Sequence, residues 1–349
     1  MIPIAEMLPW EETPLWRLAV QAGATHAVGY FRTAVGAGPV PDRPWEMPHL
    51  RGLQERFAGA GLKLAVMECS PPMQNIRLGL PGRDEEIDLF CTMVHNMGEL
   101  GISVLCYNFM AVFGWMRTRE ALPARGGALV TGYFDEDVRD LPLTEYGVVP
   151  EERLWENFAY FLHRVVPVAE KAGVKLALHP DDPPLSPIRG IGRIFRTVEA
   201  FQRAIDLVPS EANGITMCQG NFTLMTEDLP GVIRDFGSQG KIHFIHFRDV
   251  IGTPDRFVET FHEVGKTDML ACMQAYREIG FSGVLRPDHV PTLEGDANDD
   301  PCYSSIGRLL AIGYITGLRE AVYGKAQATG TTAMSPANLP PRVAGSGLR

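Results

Sequence analysis

No apolar run in the 349 residues approaches the roughly 20 needed to cross a bilayer, so no membrane partner is expected. The start, Met1-Ile2-Pro3-Ile4-Ala5-Glu6, has no basic segment and soon meets Glu11 and Glu12, which argues against a secretory leader. Basic charge is in short supply: 32 Lys and Arg face 42 Asp and Glu, a formal charge of −10. Such a field repels phosphate, so nucleic acid is not an expected partner, and positive charge for a small anion must be local. There are six cysteines, Cys69, Cys91, Cys106, Cys218, Cys272 and Cys302, with no Cys-x-x-Cys pair. That excludes a disulfide framework or a zinc ribbon and fits free thiols in the cytoplasm. A Gly-x-Gly-x-x-Gly turn after the first strand candidate is also missing, which weakens an open dinucleotide-binding sheet.

What the chain does have is alternation. Short β-rich runs stand at 26–30, 62–69, 102–108, 174–179, 215–218, 242–247 and 283–288, with helical spacing between most of them. Glu85–Leu100 places Ile87, Phe90, Cys91, Val94 and Met97 on one stripe; Glu152–Ala172 does the same with Leu154, Phe158, Phe161, Leu162, Val165 and Val168. Helices stop at Gly61, Gly101, Gly173 and Gly280, just before the next strand. Repeated strand–helix units of this number predict a (β/α)8 TIM barrel, with the eighth strand at Phe257–Glu263 or at the extreme N-terminus. Residues 1–324 read as a single barrel domain with a long insertion, about 110–150, after the third strand candidate. Residues 325–349, rich in Ala, Gly, Pro, Ser and Thr without periodicity, read as a flexible tail.

Barrel chemistry sits at the C-terminal ends of strands. Taken in order these ends offer Glu68, Asn108, His179, Cys218, His246 and Asp288. Two imidazoles, a thiol and a carboxylate on successive strand ends form a mixed donor set suited to Mn²⁺, Fe²⁺, Co²⁺ or Zn²⁺ rather than to Ca²⁺ or Mg²⁺. Singly, a strand-end histidine is usually a packed one and a lone cysteine a small buried hydrophobe. The residues alone therefore leave a metal centre and ordinary packing both open. His243 shares a strand with His246 at odd spacing, so only one of them enters the barrel, and His246 is the better ligand. Arg248 and Arg286, beside these positions, suit bidentate capture of a carboxylate, or else pairing with a neighbour such as Asp249. The stiff loop His179-Pro180-Asp181-Asp182-Pro183-Pro184 carries two carboxylates that either orient the histidine or face water.

The wording of five short motifs resembles the mannonate dehydratases. They are Val104-Leu105-Cys106-Tyr107-Asn108-Phe109-Met110 with Trp115 and Arg117-Thr118, then His179–Pro184, Cys218-Gln219-Gly220-Asn221, His246-Phe247-Arg248, and Arg286-Pro287-Asp288-His289. The resemblance runs from about residue 15 to about 322. It implies a xylose-isomerase-like TIM barrel and a hydro-lyase of hexuronate catabolism. The implied reaction removes water from D-mannonate to give 2-keto-3-deoxy-D-gluconate, with Mn²⁺ as the usual metal. Carried over, the metal ligands are His179, Cys218, His246 and Asp288, and Tyr303 falls at the family's catalytic tyrosine. Tyr303 and His289 form the expected acid–base pair, roles unassigned, with Arg286 beside them; Arg248, Arg286 and Asn108 are the expected substrate-binding residues. Two stretches depart from the family wording: Met1–Trp16 lacks an aromatic Trp-Tyr-Gly segment, and Val-Pro-Thr-Leu-Glu-Gly-Asp follows His289. The resemblance thus bears more closely on the metal ligands than on the choice of aldonate. An aldose–ketose isomerase or epimerase would instead need bridging carboxylates, Glu68 or Glu263 being the candidates, and a non-catalytic sugar-acid binder is a third reading. A homo-oligomer is left open.

Overall fold

The computed structural model of the chain describes residues 1–31 and 39–324; the expected tail at 325–349 lies outside the described residues. The strands are β1 (Ala5–Met7), β2 (His26–Gly29), β3 (Lys63–Met67), β4 (Val104–Asn108), β5 (Arg119–Pro123) and β6 (Leu129–Phe134). They continue with β7 (Lys175–His179), β8 (Asn213–Cys218), β9 (Ile242–Phe247), β10 (Val250–Thr253), β11 (Arg256–Glu259) and β12 (Leu285–Pro287). Eight of them form one parallel sheet in the order β1-β2-β3-β4-β7-β8-β9-β12. A parallel bridge between Ile4 and Leu285, with the Leu285 N–H donating to the Pro3 carbonyl at 3.2 Å, joins the two edges. The result is the expected TIM barrel.

The N-terminus supplies the eighth strand. With β1 counted first, the strand before the insertion becomes the fourth of the barrel. Phe257–Glu263, the other candidate, contributes β11 to a separate antiparallel sheet of order β10-β11-β6-β5. The insertion provides β5 and β6, so it is a folded ribbon laced to the segment after β9, and β11 reaches the barrel mouth from outside the barrel wall.

Period-two alternation sorts the strand side chains into two layers. Ala5, Met7, Val28, Val66, Val104, Cys106, Ala177 and Phe244 fill the barrel interior. Residues of opposite parity pack outward under the helices. In β9 this puts Phe244 and His246 inside, their rings 4.9 Å apart, while His243 Nδ1 bonds the Leu176 carbonyl. The helix at Glu151–Ala172 buries Leu154, Phe158, Phe161, Leu162 and Val165 as its spacing predicts. It ends where Gly173 takes φ 68° and its N–H donates to the Glu170 carbonyl. Phe161 is fully buried, with ring centroids 4.9 Å from Phe90 and 5.7 Å from Tyr107.

Glu6 of β1 is buried and ties the barrel to its closing helix, Ser305–Tyr323, through Arg308 at 3.3 Å. Burial pushes the Glu6 carboxyl up from 4.5 to about 7 against the pull of Arg308 and Arg286. The native state therefore keeps a proton between those values that the unfolded chain has released. Stability falls as pH rises through that window and levels above it. Glu6→Gln should remove this slope: relative to the parent, the variant gains stability between pH 5 and 7.5 in urea unfolding, and parallel pH profiles would contradict it. Phe161→Ala should lower the unfolding free energy by about 3–5 kcal/mol in the same assay, and a loss below about 1 kcal/mol would show that the site collapses without a cavity.

Candidate metal centre and active site

Parallel strands deliver their last side chains to one rim, and there the separate strand ends meet. His179 ends β7, Cys218 ends β8, His246 lies one residue before the end of β9, and Asp288 directly follows β12. Ligand atoms of His179, Cys218 and His246 lie within 4.8 Å of one another. Asp288 Oδ2 is 3.8 Å from Cys218 Sγ and 3.5 Å from His246 Nδ1. The four expected ligands thus converge.

Their partners say which atoms are left to bind. His179 Nδ1 donates to the Pro180 carbonyl at 2.7 Å, which leaves Nε2 with its lone pair. Both ring nitrogens of His246 and Asp288 Oδ1 are buried and face charged partners: His246 Nε2 is 3.2 Å from Glu68 Oε2, its Nδ1 is 3.5 Å from Asp288 Oδ2, and Asp288 Oδ1 is 2.9 Å from Arg286 Nη1. Burial opposes a Cys218 thiolate, yet the positive charge of Arg248 and contacts from His179 and His246 outweigh it and bring the thiol down to about 5. Buried atoms of this kind are costly unless something compensates them. This donor set fits a divalent transition ion in its chemistry: two imidazoles, a ready thiolate and a carboxylate.

Charge counting points the same way. Arg248 is buried with Nη1 on Glu259 at 2.8 Å, Nη2 on Asp182 at 2.8 Å and Nε 2.9 Å from Asp288. Arg117 bridges Asp182 at 2.6 Å and Glu259 at 2.5 Å. Arg286 grips Glu68 with two bonds of 2.7 and 2.6 Å and stands 2.9 Å from Asp288. Three guanidiniums therefore face the carboxylates of Glu68, Asp182, Glu259 and Asp288 and the Cys218 thiolate, an excess of two negative charges. His246 answers part of it: burial and Arg286 press its pKa down, but Glu68 and Asp288 raise it well above the usual histidine value.

Beside the cluster lies a cavity of about 300 Å³ lined by Glu68, Asn108, Trp115, His179, Asp182, His246, Arg286, Asp288, His289 and Tyr303. His289 Nδ1 meets Glu259 Oε1 at 2.9 Å and its Nε2 meets Tyr303 Oη at 3.1 Å, with Trp115 packed over both rings. Asn108 is at the wall, its Oδ1 taken by Arg77 at 3.0 Å. Arg286 reaches the cavity with both guanidinium edges engaged. Arg248 sits behind the wall, absent from the lining, in contacts that hold protein carboxylates rather than leaving a fork for substrate. Glu263, a candidate for an isomerase, is at the surface with Arg125 at 2.7 Å.

Glu259, Arg117 and the central place of Asp182 were not foreseen. Asp182 belongs to a loop already singled out, but its partners arrive from other elements. Arg117 lies in the insertion and Glu259 on β11, and only the antiparallel sheet brings them to the barrel mouth.

The profile of the D-mannonate dehydratase family (UxuA) matches residues 15–145 and 136–329. A mannonate dehydratase of Thermotoga neapolitana is 38% identical over 313 residues, covering 80% of this chain and 86% of that protein. One from Streptococcus agalactiae serotype V is 36% identical over 318 residues, covering 83% and 90%. The crystal structure of mannonate dehydratase from Streptococcus suis serotype 2 superposes with a TM-score of 0.83 at 31% identity, covering 96% of this chain and 98% of that one. A D-psicose 3-epimerase from Clostridium cellulolyticum H10 shares the fold alone, with a TM-score of 0.56 at 14% identity and coverage of 92% and 99%. With profile, relatives and superposition agreeing over most of its length, the chain belongs to the mannonate dehydratase family of hydro-lyases.

Proposed function

We propose that this protein removes water from D-mannonate to give 2-keto-3-deoxy-D-gluconate, with a divalent transition ion held by His179, Cys218, His246 and Asp288. The observation that carries this reading is the convergence of those four side chains at one rim of the barrel, beside a cavity lined by His289 and Tyr303. Mn²⁺ is the ion that the family resemblance suggests, and Fe²⁺, Co²⁺ or Zn²⁺ suit the same donors. The ion, when bound, supplies positive charge beside the substrate carboxylate, which makes the neighbouring C2 proton more acidic.

The side chains then have distinct work. His289 and Tyr303, 3.1 Å apart, share the proton traffic. One takes the proton from C2, the C2–H electrons form the C2=C3 bond, and the other protonates the departing 3-hydroxyl so that it leaves as water. The resulting enol gives up its 2-hydroxyl proton, takes one at C3 and becomes the 2-keto acid. Arg286 adds cationic field at the cavity wall. Trp115 packs against both rings. A cytoplasmic location belongs to the same reading, supported by six free thiols and, among the described residues, no helix long and apolar enough to cross a membrane.

Purified protein should hold about one divalent transition ion per chain, and Cys218→Ala or His179→Ala should lose it by elemental analysis; full metal content in both variants would defeat the assignment. Incubated with D-mannonate and Mn²⁺, the enzyme should form a product that reacts in a 2-keto acid assay. Tyr303→Phe should lower kcat by about 10²–10⁴-fold; no product from D-mannonate, or an undiminished Tyr303→Phe, would overturn the substrate and the role respectively.

A further inference from the structure

The acid–base pair is not held by the barrel alone. Glu259 comes from β11, in the outlying antiparallel sheet, yet its buried carboxylate touches His289 and is absent from the cavity lining. Its Oε1 accepts from Arg117 at 2.5 Å, from Arg248 at 2.8 Å and from the His289 ring at 2.9 Å, while Oε2 accepts from Arg248 at 3.0 Å. Burial alone would push this carboxyl up, but the guanidiniums of Arg248 and Arg117 outweigh it and hold it ionised.

An ionised carboxylate only accepts hydrogen bonds, so the nitrogen it meets carries the proton. His289 Nδ1 is therefore N–H, and in the neutral ring this leaves Nε2 its lone pair toward Tyr303, whose hydroxyl then donates across 3.1 Å. Arg117 Nη2 also stands 3.3 Å from Nδ1, and a guanidinium can only donate. That contact would favour the opposite tautomer, and its length against the 2.9 Å carboxylate contact decides for Glu259. We infer that Glu259 is a positioning residue for the reaction proposed above: it fixes the Nδ1–H tautomer of His289 and aims Nε2 at the tyrosine and the cavity. The outlying sheet thereby acts as an arm that sets the protonation pattern of a site formed on barrel strands. A carboxylate that orients an imidazole without touching substrate has measurable consequences, since an imidazole held in the wrong tautomer offers an N–H where a lone pair is needed.

The inference rests on the dehydratase reading only for its kinetic arm; its spectroscopic arm needs no substrate. Zn²⁺-loaded, ¹⁵N-histidine-labelled protein is examined by two-dimensional ¹H–¹⁵N NMR, with the His289 ring assigned by its loss in His289→Gln. The parent should show an Nδ1–H, lone-pair Nε2 ring; an Nε2–H ring overturns the proposal without any variant. Glu259→Ala should shift the ring toward Nε2–H or a mixture and lower kcat by about 10²-fold or more with KM within about threefold. Glu259→Gln, whose amide oxygen can stand at Oε1, should keep the Nδ1–H signature and restore at least tenfold of the lost kcat. An unchanged ring in Glu259→Ala, or equal kcat in the two variants, would reduce Glu259 to a structural ion-pair partner. If Glu259→Ala does not fold, the parent and Glu259→Gln spectra decide alone. A parent inactive on D-mannonate with an Nδ1–H ring would sink the substrate reading and leave the positioning role standing.

Discussion

The buried guanidinium of Arg248 is the contact on which the barrel mouth depends. It stands within 3 Å of Asp182, Glu259 and Asp288, which come from three different segments of the chain, and its charge is the largest influence favouring the Cys218 thiolate. Without it, carboxylates carried by β11, by the loop after β7 and by the end of β12 would face one another in a water-poor interior. A buried cluster of this kind is poor material for stability, because desolvation consumes most of what pairing returns. Its value lies in what it leaves over. Three guanidiniums against five potential anions leave the site net negative, an excess that His246 answers in part and that suits a cation. The same arrangement holds the thiol deprotonated and the aspartate ionised before any ligand arrives.

That surplus also connects the two halves of the site. Arg248 and Glu259 run from the metal ligand Asp288 on one side to His289 on the other, so the ion-binding group and the acid–base pair share one rigid scaffold. Arg286 plays the corresponding part on the opposite wall, linking Asp288 to Glu68, whose Oε2 lies 3.2 Å from His246 Nε2. An arginine already gripping two protein carboxylates is a fixed positive wall rather than a mobile hand.

The barrel was readable because its signals are local. Seven strands announced themselves by β-rich runs and glycine stops, and the strand ends then listed the ligands in order. β1 was harder: three residues are too few for a period to register, and only the Ile4–Leu285 bridge reveals its place. Alternation showed that only one of His243 and His246 enters the barrel, and nearness to the C-terminal end of the strand favoured His246, which lies inside against Phe244. Arg248 and Arg286 were read as substrate clamps since nothing in their neighbourhood of sequence hinted at Glu259, Asp182 or Glu68. Those partners lie 11, 66 and 218 residues away and meet them only through the tertiary fold. Glu259 itself looked like part of a candidate barrel strand; the antiparallel pairing of β11 with β6 gives it another address.

The claim that two imidazoles, a thiolate and an aspartate gather about one cation is tested most directly by X-ray absorption on the protein loaded with Zn²⁺. The account predicts a single sulfur scatterer at about 2.3 Å together with nitrogen and oxygen at about 2.0–2.2 Å, the sulfur vanishing in Cys218→Ser. A shell of nitrogen and oxygen alone in the parent protein would contradict it.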